Sequence, residues 1–134
     1  MPLTLAEASK VIDKAHAKAK QLGLKVAVAV VDEGGLLIAL GRMDGATPIS
    51  PQLAEAKAVG AAMLLRDGGA LGQMAQDRPA FFSAVDRLVR VPLIPGPGSL
   101  LIKKVDGQVV GAVGVSGARP EQDLDCAEAG LREG

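Results

Sequence analysis

The chain reads Val28-Ala-Val-Val-Asp-Glu-Gly-Gly-Leu-Leu-Ile-Ala-Leu-Gly-Arg-Met-Asp-Gly-Ala46 across a segment that predicts a β-hairpin. Two apolar runs, residues 25–31 and 36–42, flank Gly34-Gly35, and a glycine pair between such runs is typical of a tight reversal. The return strand closes on a charged tip, Arg42-Met-Asp-Gly45. We therefore expect two antiparallel strands with an arginine and an acid where the second strand ends.

A second apolar segment reads Val109-Val-Gly-Ala-Val-Gly-Val-Ser-Gly-Ala-Arg-Pro-Glu-Gln-Asp123. Its glycines at 111, 114 and 117 remove side chains from a strand, which indicates that another element approaches the backbone closely. Residues 99–105, the turn Asp106-Gly107 and residues 108–115 predict a second hairpin. A helix with acids in its first turn follows it. We expect the two hairpins to lie side by side.

Helices are predicted before, between and after the hairpins. Thr4 and Glu7 have the spacing of a capping box, and Gly23 ends the helix that begins there. Ser50 as N-cap and Pro51 at the first helical position begin a second helix that runs to about residue 65. One or two short helices are expected over residues 71–76 and 80–88. The apolar stripe of the first helix comprises Leu5, Ala8, Ile12, Ala15, Ala19 and Leu22.

The order of helix, hairpin, helices, hairpin and helix predicts an α+β fold. A parallel, doubly wound sheet would alternate single strands with helices, whereas two hairpins favour an antiparallel sheet flanked by helices. With 134 residues, of which 49% are hydrophobic, the chain is long enough for one domain with a real core. We expect a single domain over residues 1–134.

Composition and charge limit the partners of the chain. Fifteen basic and fifteen acidic residues cancel, and Phe81 and Phe82 are the only aromatic residues for base stacking, so nucleic-acid binding is not expected. No apolar run reaches the length of a bilayer, and the first residues lead directly into an amphipathic helix, so we expect no membrane association and a cytoplasmic location. The single cysteine, Cys126, fits a reducing compartment and is expected to be a packing residue.

The motifs resemble the GlcG/HbpS family over nearly the whole chain. They are Val30-Val-Asp-Glu-Gly-Gly35, Arg42-Met-Asp-Gly-Ala46, Ala56-Lys-Ala58, and Val110-Gly-Ala-Val-Gly-Val-Ser-Gly117 with Gln122-Asp123. The resemblance implies a profilin-like antiparallel sheet flanked by helices, assembled as a dimer or larger homo-oligomer. It also implies links to haem binding and degradation, to a domain that accompanies corrinoid adenosyltransferases, and to glycolate-utilisation loci. Haem or a corrinoid is therefore the implied cofactor.

One loop departs from the family pattern. Where the family usually has Gly-Gly-x-Pro-Ile before the last hairpin, this chain has Gly98-Ser-Leu-Leu-Ile102. If the loop forms part of a pocket rim, the ligand preference of this chain differs from that of other members.

Haem and metal ions place different demands on the side chains. Haem needs an axial ligand, and the only histidine, His16, is the candidate, although its position at the edge of a helical stripe is also typical of a boundary residue. Methionines 43, 63 and 74 are alternatives that usually serve as core filler. A catalytic metal usually needs at least three His, Cys or carboxylate ligands. One histidine and one cysteine are too few, and no metal site is expected.

The remaining polar residues lie at strand ends and predict a small-molecule site near a subunit boundary. Arg42 can bind a carboxylate or carbonyl, and Asp32 or Asp44 can orient it or act as a base, while the structural alternative is an Arg–Asp pair that locks the hairpin to the last helix. The predicted ligand-binding residues are Asp32, Arg42, Met43, Asp44, Gly45, Ser116, Gly117 and Asp123. Three functions stay open: a homo-oligomer that binds haem or another tetrapyrrole, an enzyme acting on a small carboxylated or carbonyl metabolite, and an accessory structural subunit.

Overall fold

The helices and the two hairpins follow one another in the predicted order. The computed structural model describes residues 2–133, so the terminal residues 1 and 134 of the predicted domain lie outside the described range. The elements are α1 (Leu5–Gln21), β1 (Ala27–Asp32), β2 (Leu37–Arg42), α2 (Ser50–Leu64), α3 (Gly68–Asp77), α4 (Pro79–Asp86), β3 (Ser99–Lys103), β4 (Val109–Ser116) and α5 (Pro120–Leu131).

The strands form one antiparallel sheet in the order β2-β1-β4-β3. Each hairpin supplies one central and one edge strand, and β1 pairs with β4 in the centre, from Ala27 opposite Ser116 to Asp32 opposite Gly111. The prediction that the two hairpins lie side by side is confirmed. The resulting α+β fold, a sheet flanked by helices, is also confirmed.

The helices cover the two faces of the sheet unequally. On one face, α1 and α5 pack against a core that includes Val28, Val30, Val113 and Val115. On the other face, α2 lies over the alternate residues of the central strands, including Val31 and Ala112. Because strand side chains alternate between faces, a valine-rich central strand is buried on both sides.

Helix α1 begins as the capping box predicts. The Thr4 hydroxyl accepts a hydrogen bond from the Glu7 amide, and the Glu7 carboxylate accepts one from the Thr4 amide. The Thr4 amide and the Lys104 ammonium lower the pKa of Glu7 to about 2. The helix ends at Gln21, and Gly23 follows with a φ of +72°.

Helix α2 lies unusually close to β4 because both elements are built from small residues. A Cβ atom on Gly114 would lie 2.2 Å from the Ala54 carbonyl oxygen, so only glycine fits at that position. The close approach predicted from the glycine series is therefore confirmed here. The buried residues of α2 are Ser50, Ala54, Ala56, Lys57, Ala58, Val59, Gly60, Ala61 and Ala62.

The expectation that Ser50 caps α2 is wrong. Ile49 occupies the N-cap position, and Ser50 is the first residue of the helix. The Ser50 hydroxyl donates to the Thr47 carbonyl at 2.7 Å. It therefore stabilises the turn before the helix and does not cap the helix itself.

One or two short helices are expected between residues 71 and 88, and the structure contains two, α3 and α4, with Arg78 between them. None of the residues of α4 is buried, and Phe81 is 43% exposed. No helix in residues 2–133 is both long and apolar enough to cross a bilayer.

The contact between β4 and α2 can be tested with Gly114→Ala. The added methyl group overlaps the Ala54 carbonyl, so we expect a loss of roughly 1–3 kcal/mol or more in the free energy of unfolding, measured with urea. Gly69→Ala is the matched control, because its Cβ would meet no atom within 4 Å, and it should stay within about 1 kcal/mol of wild type. Equal stability of the two variants would contradict the assigned contact.

Candidate functional site

A cavity of about 640 Å³ lies between α1 and the end of β2. Ligand sites in proteins commonly enclose about 300–1,000 Å³, so this cavity is large enough for a small molecule. Its lining residues are Asp13, His16, Ala17, Lys20, Gly23, Leu24, Lys25, Arg42, Met43 and Asp44.

Two elements and one turn position these residues. Residues 13, 16, 17 and 20 recur at three- and four-residue spacing, which places them on one side of α1. Gly23 then lets the chain leave the helix, and the Met43 amide donates to the Val26 carbonyl, so the chain after β2 lies beside the start of β1. The cavity is therefore bounded by the outer side of α1 and by the charged tip predicted from the sequence.

His16 lies directly against the backbone of β2. Its Nε2 atom is 3.0 Å from the Gly41 carbonyl oxygen, and a Cβ atom on Gly41 would lie only 2.8 Å from the ring. If Nε2 donates this bond, the neutral ring keeps its lone pair on Nδ1. The structure thus brings the one histidine of the sequence into the same cavity as Arg42, Met43 and Asp44.

Arg42 stabilises the loop that follows β2. One guanidinium nitrogen, Nη1, donates to the Ala46 carbonyl at 3.0 Å, which closes the turn that contains Met43, Asp44 and Gly45. Arg42 forms no ion pair with an aspartate among residues 2–133. The structural alternative, an Arg–Asp pair that locks the hairpin to the last helix, is therefore wrong for Arg42.

The last helix is instead held by Lys57 of α2. Its ammonium lies 3.0 Å from the Asp123 carboxylate and donates to the Val115 carbonyl at 2.8 Å, while the Ala118 amide donates to the other carboxylate oxygen. Burial raises the pKa of Asp123, and the Lys57 ammonium opposes that rise. Both side chains are buried, so this pair ties α2, β4 and the start of α5 together.

Local sequence patterns did not predict Lys57 as the partner of Asp123. The one available signal was a lysine within a helical segment, residues 54–62, whose other residues are apolar or glycine except for Glu55. A lysine surrounded on all sides by such residues cannot reach water easily and needs a buried acceptor.

The other predicted site residues lie outside the cavity lining. Ala27 pairs with both Arg42 and Ser116, so Ser116 and Gly117 share that end of the sheet but are separated from Arg42 by β1. Asp32 lies at the opposite end, where its carboxylate accepts from the amides of Gly34 and Leu36. The ligand roles of Asp32, Ser116, Gly117 and Asp123 stay predictions, and the cavity does not involve them.

The loop that departs from the family pattern also lies away from the cavity. A Cβ atom on Gly98 would lie 2.9 Å from the Lys57 ammonium and 3.2 Å from Asp123. Ser99 is buried, and its hydroxyl has no hydrogen-bond partner within the described residues. The loop thus packs around the Lys57–Asp123 pair and contributes nothing to the lining of the cavity.

Two further kinds of site, a metal centre and a reactive thiol, can be compared with the described residues. Among residues 2–133 no three His, Cys, Asp or Glu side chains lie together in a way that could hold a metal ion. Cys126 is buried in α5, and burial raises the pKa of its thiol to about 11. A thiol with so high a pKa is a poor nucleophile near neutral pH.

Comparisons with known proteins converge on one family. A family model described as haem-degrading protein HbpS-like matches residues 3–132. Protein GlcG of Escherichia coli K12 is 37% identical over 110 residues, which are 81% of this chain and 77% of GlcG. The corrinoid adenosyltransferase PduO of Salmonella typhimurium is 31% identical over 114 residues, which are 85% of this chain and 33% of PduO.

Solved structures agree with the sequence comparisons. The crystal structure of a PduOC–haem complex has a TM-score of 0.87 at 27% identity, covering 98% of this chain and 94% of the other. A double mutant of Streptomyces reticuli HbpS has a TM-score of 0.86 at 29% identity, covering 98% and 86%.

Lys57→Met tests the buried pair through pH. Without the Lys57 ammonium, Asp123 should have a still higher pKa in the folded chain. Its pKa in the unfolded chain stays at about 3.9. Between these two pKa values the folded chain binds more protons than the unfolded chain. The free energy of unfolding should therefore rise as the pH falls towards the pKa of Asp123 in the unfolded chain. We expect a loss of about 3–5 kcal/mol in unfolding free energy at pH 7, partly recovered at pH 5, in urea titrations.

The double variant Lys57→Met with Asp123→Asn is the control for this experiment. It removes the unpaired carboxylate, so the recovery at pH 5 should disappear. A loss in Lys57→Met that is the same at both pH values would show that Asp123 does not carry the buried charge.

Proposed function

This chain belongs to the haem-degrading HbpS-like family, and we propose from that membership that it binds haem in the cavity between α1 and β2. The observation that carries the proposal is the position of His16, the sole histidine, in the lining of a cavity of about 640 Å³. The haem complex of PduOC, whose fold this chain shares, supports the same ligand class.

The side chains of the cavity match what haem requires. Haem needs an axial ligand and apolar walls. His16 supplies an imidazole, while Ala17, Leu24 and Met43 supply apolar surface. Haem also carries two carboxylate groups, and three cations lie in the lining for them: Lys20, Lys25 and Arg42.

Gly41 would orient the axial ligand. A ligating histidine usually donates its second ring N–H to a carbonyl or carboxylate, which fixes the tautomer and raises the basicity of the ligating nitrogen. The Gly41 carbonyl is placed for this role at 3.0 Å from His16 Nε2. Bound haem would supply an iron centre for electron transfer or for binding oxygen, and His16 would hold that iron at the wall of the cavity.

We further propose that a second copy of the chain covers an exposed apolar face. Strand β2 is an edge strand, and its Leu40 pairs with Ala29 on the side of the sheet where α2 lies. An uncovered edge with apolar side chains favours pairing with another chain. Leu37, which pairs with Val31 on the same side of the sheet, is 46% exposed, and Leu40 is 36% exposed. The proposed assembly is a homo-oligomer. We place it in the cytoplasm because the buried Cys126 is free and would stay reduced there.

The haem proposal is tested by titrating the protein with haem and following the Soret band. Wild type should saturate with the spectrum of a histidine-ligated haem, and His16→Ala should lose that spectrum and bind at least about tenfold more weakly, because the axial ligand is gone. Added imidazole should restore part of the spectrum in His16→Ala. An unchanged Soret band in this variant would remove His16 as the ligand.

The oligomer proposal is tested by light scattering coupled to gel filtration. Wild type should elute at a multiple of 13.6 kDa, and Leu37→Lys should shift towards the single-chain mass because it places a charge in the covered face. Val105→Lys is the control, since Val105 is fully exposed in the β3–β4 turn and should leave the mass unchanged. A wild-type mass of one chain would contradict the proposal.

A further inference from the structure

The cations of the cavity are not engaged with acids of the same chain. The lining contains Lys20, Lys25 and Arg42 against Asp13 and Asp44, in a chain whose acidic and basic residues balance. Neither lysine forms an ion pair within residues 2–133. An unpaired ammonium at the wall of a cavity has donors left for an anionic ligand.

Two glycines lie beside Lys25. A Cβ atom on Gly45 would lie 2.8 Å from Cδ and 3.0 Å from Nζ of Lys25, so the lysine side chain lies across the turn that follows β2. A Cβ atom on Gly117 would lie 2.6 Å from the Lys25 carbonyl oxygen. Both glycines have positive φ angles, +83° and +133°. Together they leave room for the backbone of Lys25 on one side and for its ammonium on the other.

This arrangement distinguishes between two tetrapyrrole classes. Haem and its precursors carry ionised carboxylates at the ring edge, whereas the edge of a complete corrinoid carries mainly neutral amides. A hydrogen bond from an ammonium to a carboxylate is roughly twice as strong as one between neutral groups. The cavity should therefore bind a tetrapyrrole with carboxylate groups more tightly than one with amide groups.

We infer that Lys25 is a specificity residue that binds a carboxylate of the tetrapyrrole, and that Gly45, which has no side chain, leaves room for the Lys25 ammonium beside the cavity. The inference rests on the proposed haem site and deepens it, because it selects carboxylated tetrapyrroles over corrinoids. Arg42 and Lys20 supply further positive charge at the same wall.

The experiment compares the affinities of haem, haem dimethyl ester and cobalamin by absorbance titration. Wild type should bind haem at least about tenfold more tightly than the ester, since the ester has lost both negative charges. Lys25→Met keeps the aliphatic stem and should reduce the preference for haem over the ester, because it weakens haem binding and leaves ester binding unchanged. Gly45→Ala should act in the same direction because its methyl group displaces the ammonium.

Two controls separate this effect from general damage. Lys103→Met removes an exposed lysine of edge strand β3, and Gly107→Ala changes a glycine with a similar φ of +87° whose Cβ would meet no atom within 4 Å. Both should keep the preference for haem over the ester. Circular dichroism of every variant confirms that the fold is intact before affinities are compared.

The outcomes separate this inference from the proposed function. If wild type binds haem and its ester equally, or if Lys25→Met keeps the full preference, the assignment of Lys25 is overturned while haem binding stands. If wild type binds none of the three tetrapyrroles, the proposed function and this inference both fail. If millimolar succinate displaces haem from wild type but not from Lys25→Met, the lysine binds small carboxylates in general. Its assignment as a residue specific for tetrapyrroles is then overturned.

Discussion

The close approach of α2 to β4 is the constraint on which the other features depend. Because Gly114 has no side chain, the helix backbone packs directly on the strand, and the helix is buried on all sides from Ala56 to Ala62. Lys57 therefore cannot extend into water, and its charge is met by Asp123 at the start of α5 and by the Val115 carbonyl. A packing contact thus determines where a charge is buried, and the buried charge determines where the last helix begins.

The order of the strands explains why the cavity forms where it does. Helix α2 is centred on β1 and β4, which leaves β2 as an edge strand that is covered only in part. On the opposite face, α1 passes over the end of β2 with His16 against Gly41. The histidine and the charged tip of the hairpin meet because the strand lies at the edge, where a helix and a turn can enclose space beside it.

Local signals in the sequence predicted the elements well, and they predicted the site less well. The capping box at Thr4, the glycine reversal at residues 34–35 and the glycine at 114 each depend on neighbouring residues or on one contact, and the structure contains them all. The sequence predicts Asp32 and Arg42 in one site, yet the two antiparallel strands of a hairpin end at opposite ends of the sheet, so the two residues lie apart. The Lys57–Asp123 pair joins residues 66 positions apart, and no local pattern encodes such a partner.

The exposed position of α4 has a consequence for optical spectroscopy. Phe81 and Phe82 are the only aromatic residues of the chain, both lie on α4, and no residue of that helix is buried. Near-ultraviolet signals of the protein thus arise from a surface helix and carry almost no information about the packing of the core. The same scarcity leaves the protein nearly transparent at 280 nm, so a bound chromophore would dominate its absorption spectrum from the near ultraviolet onwards.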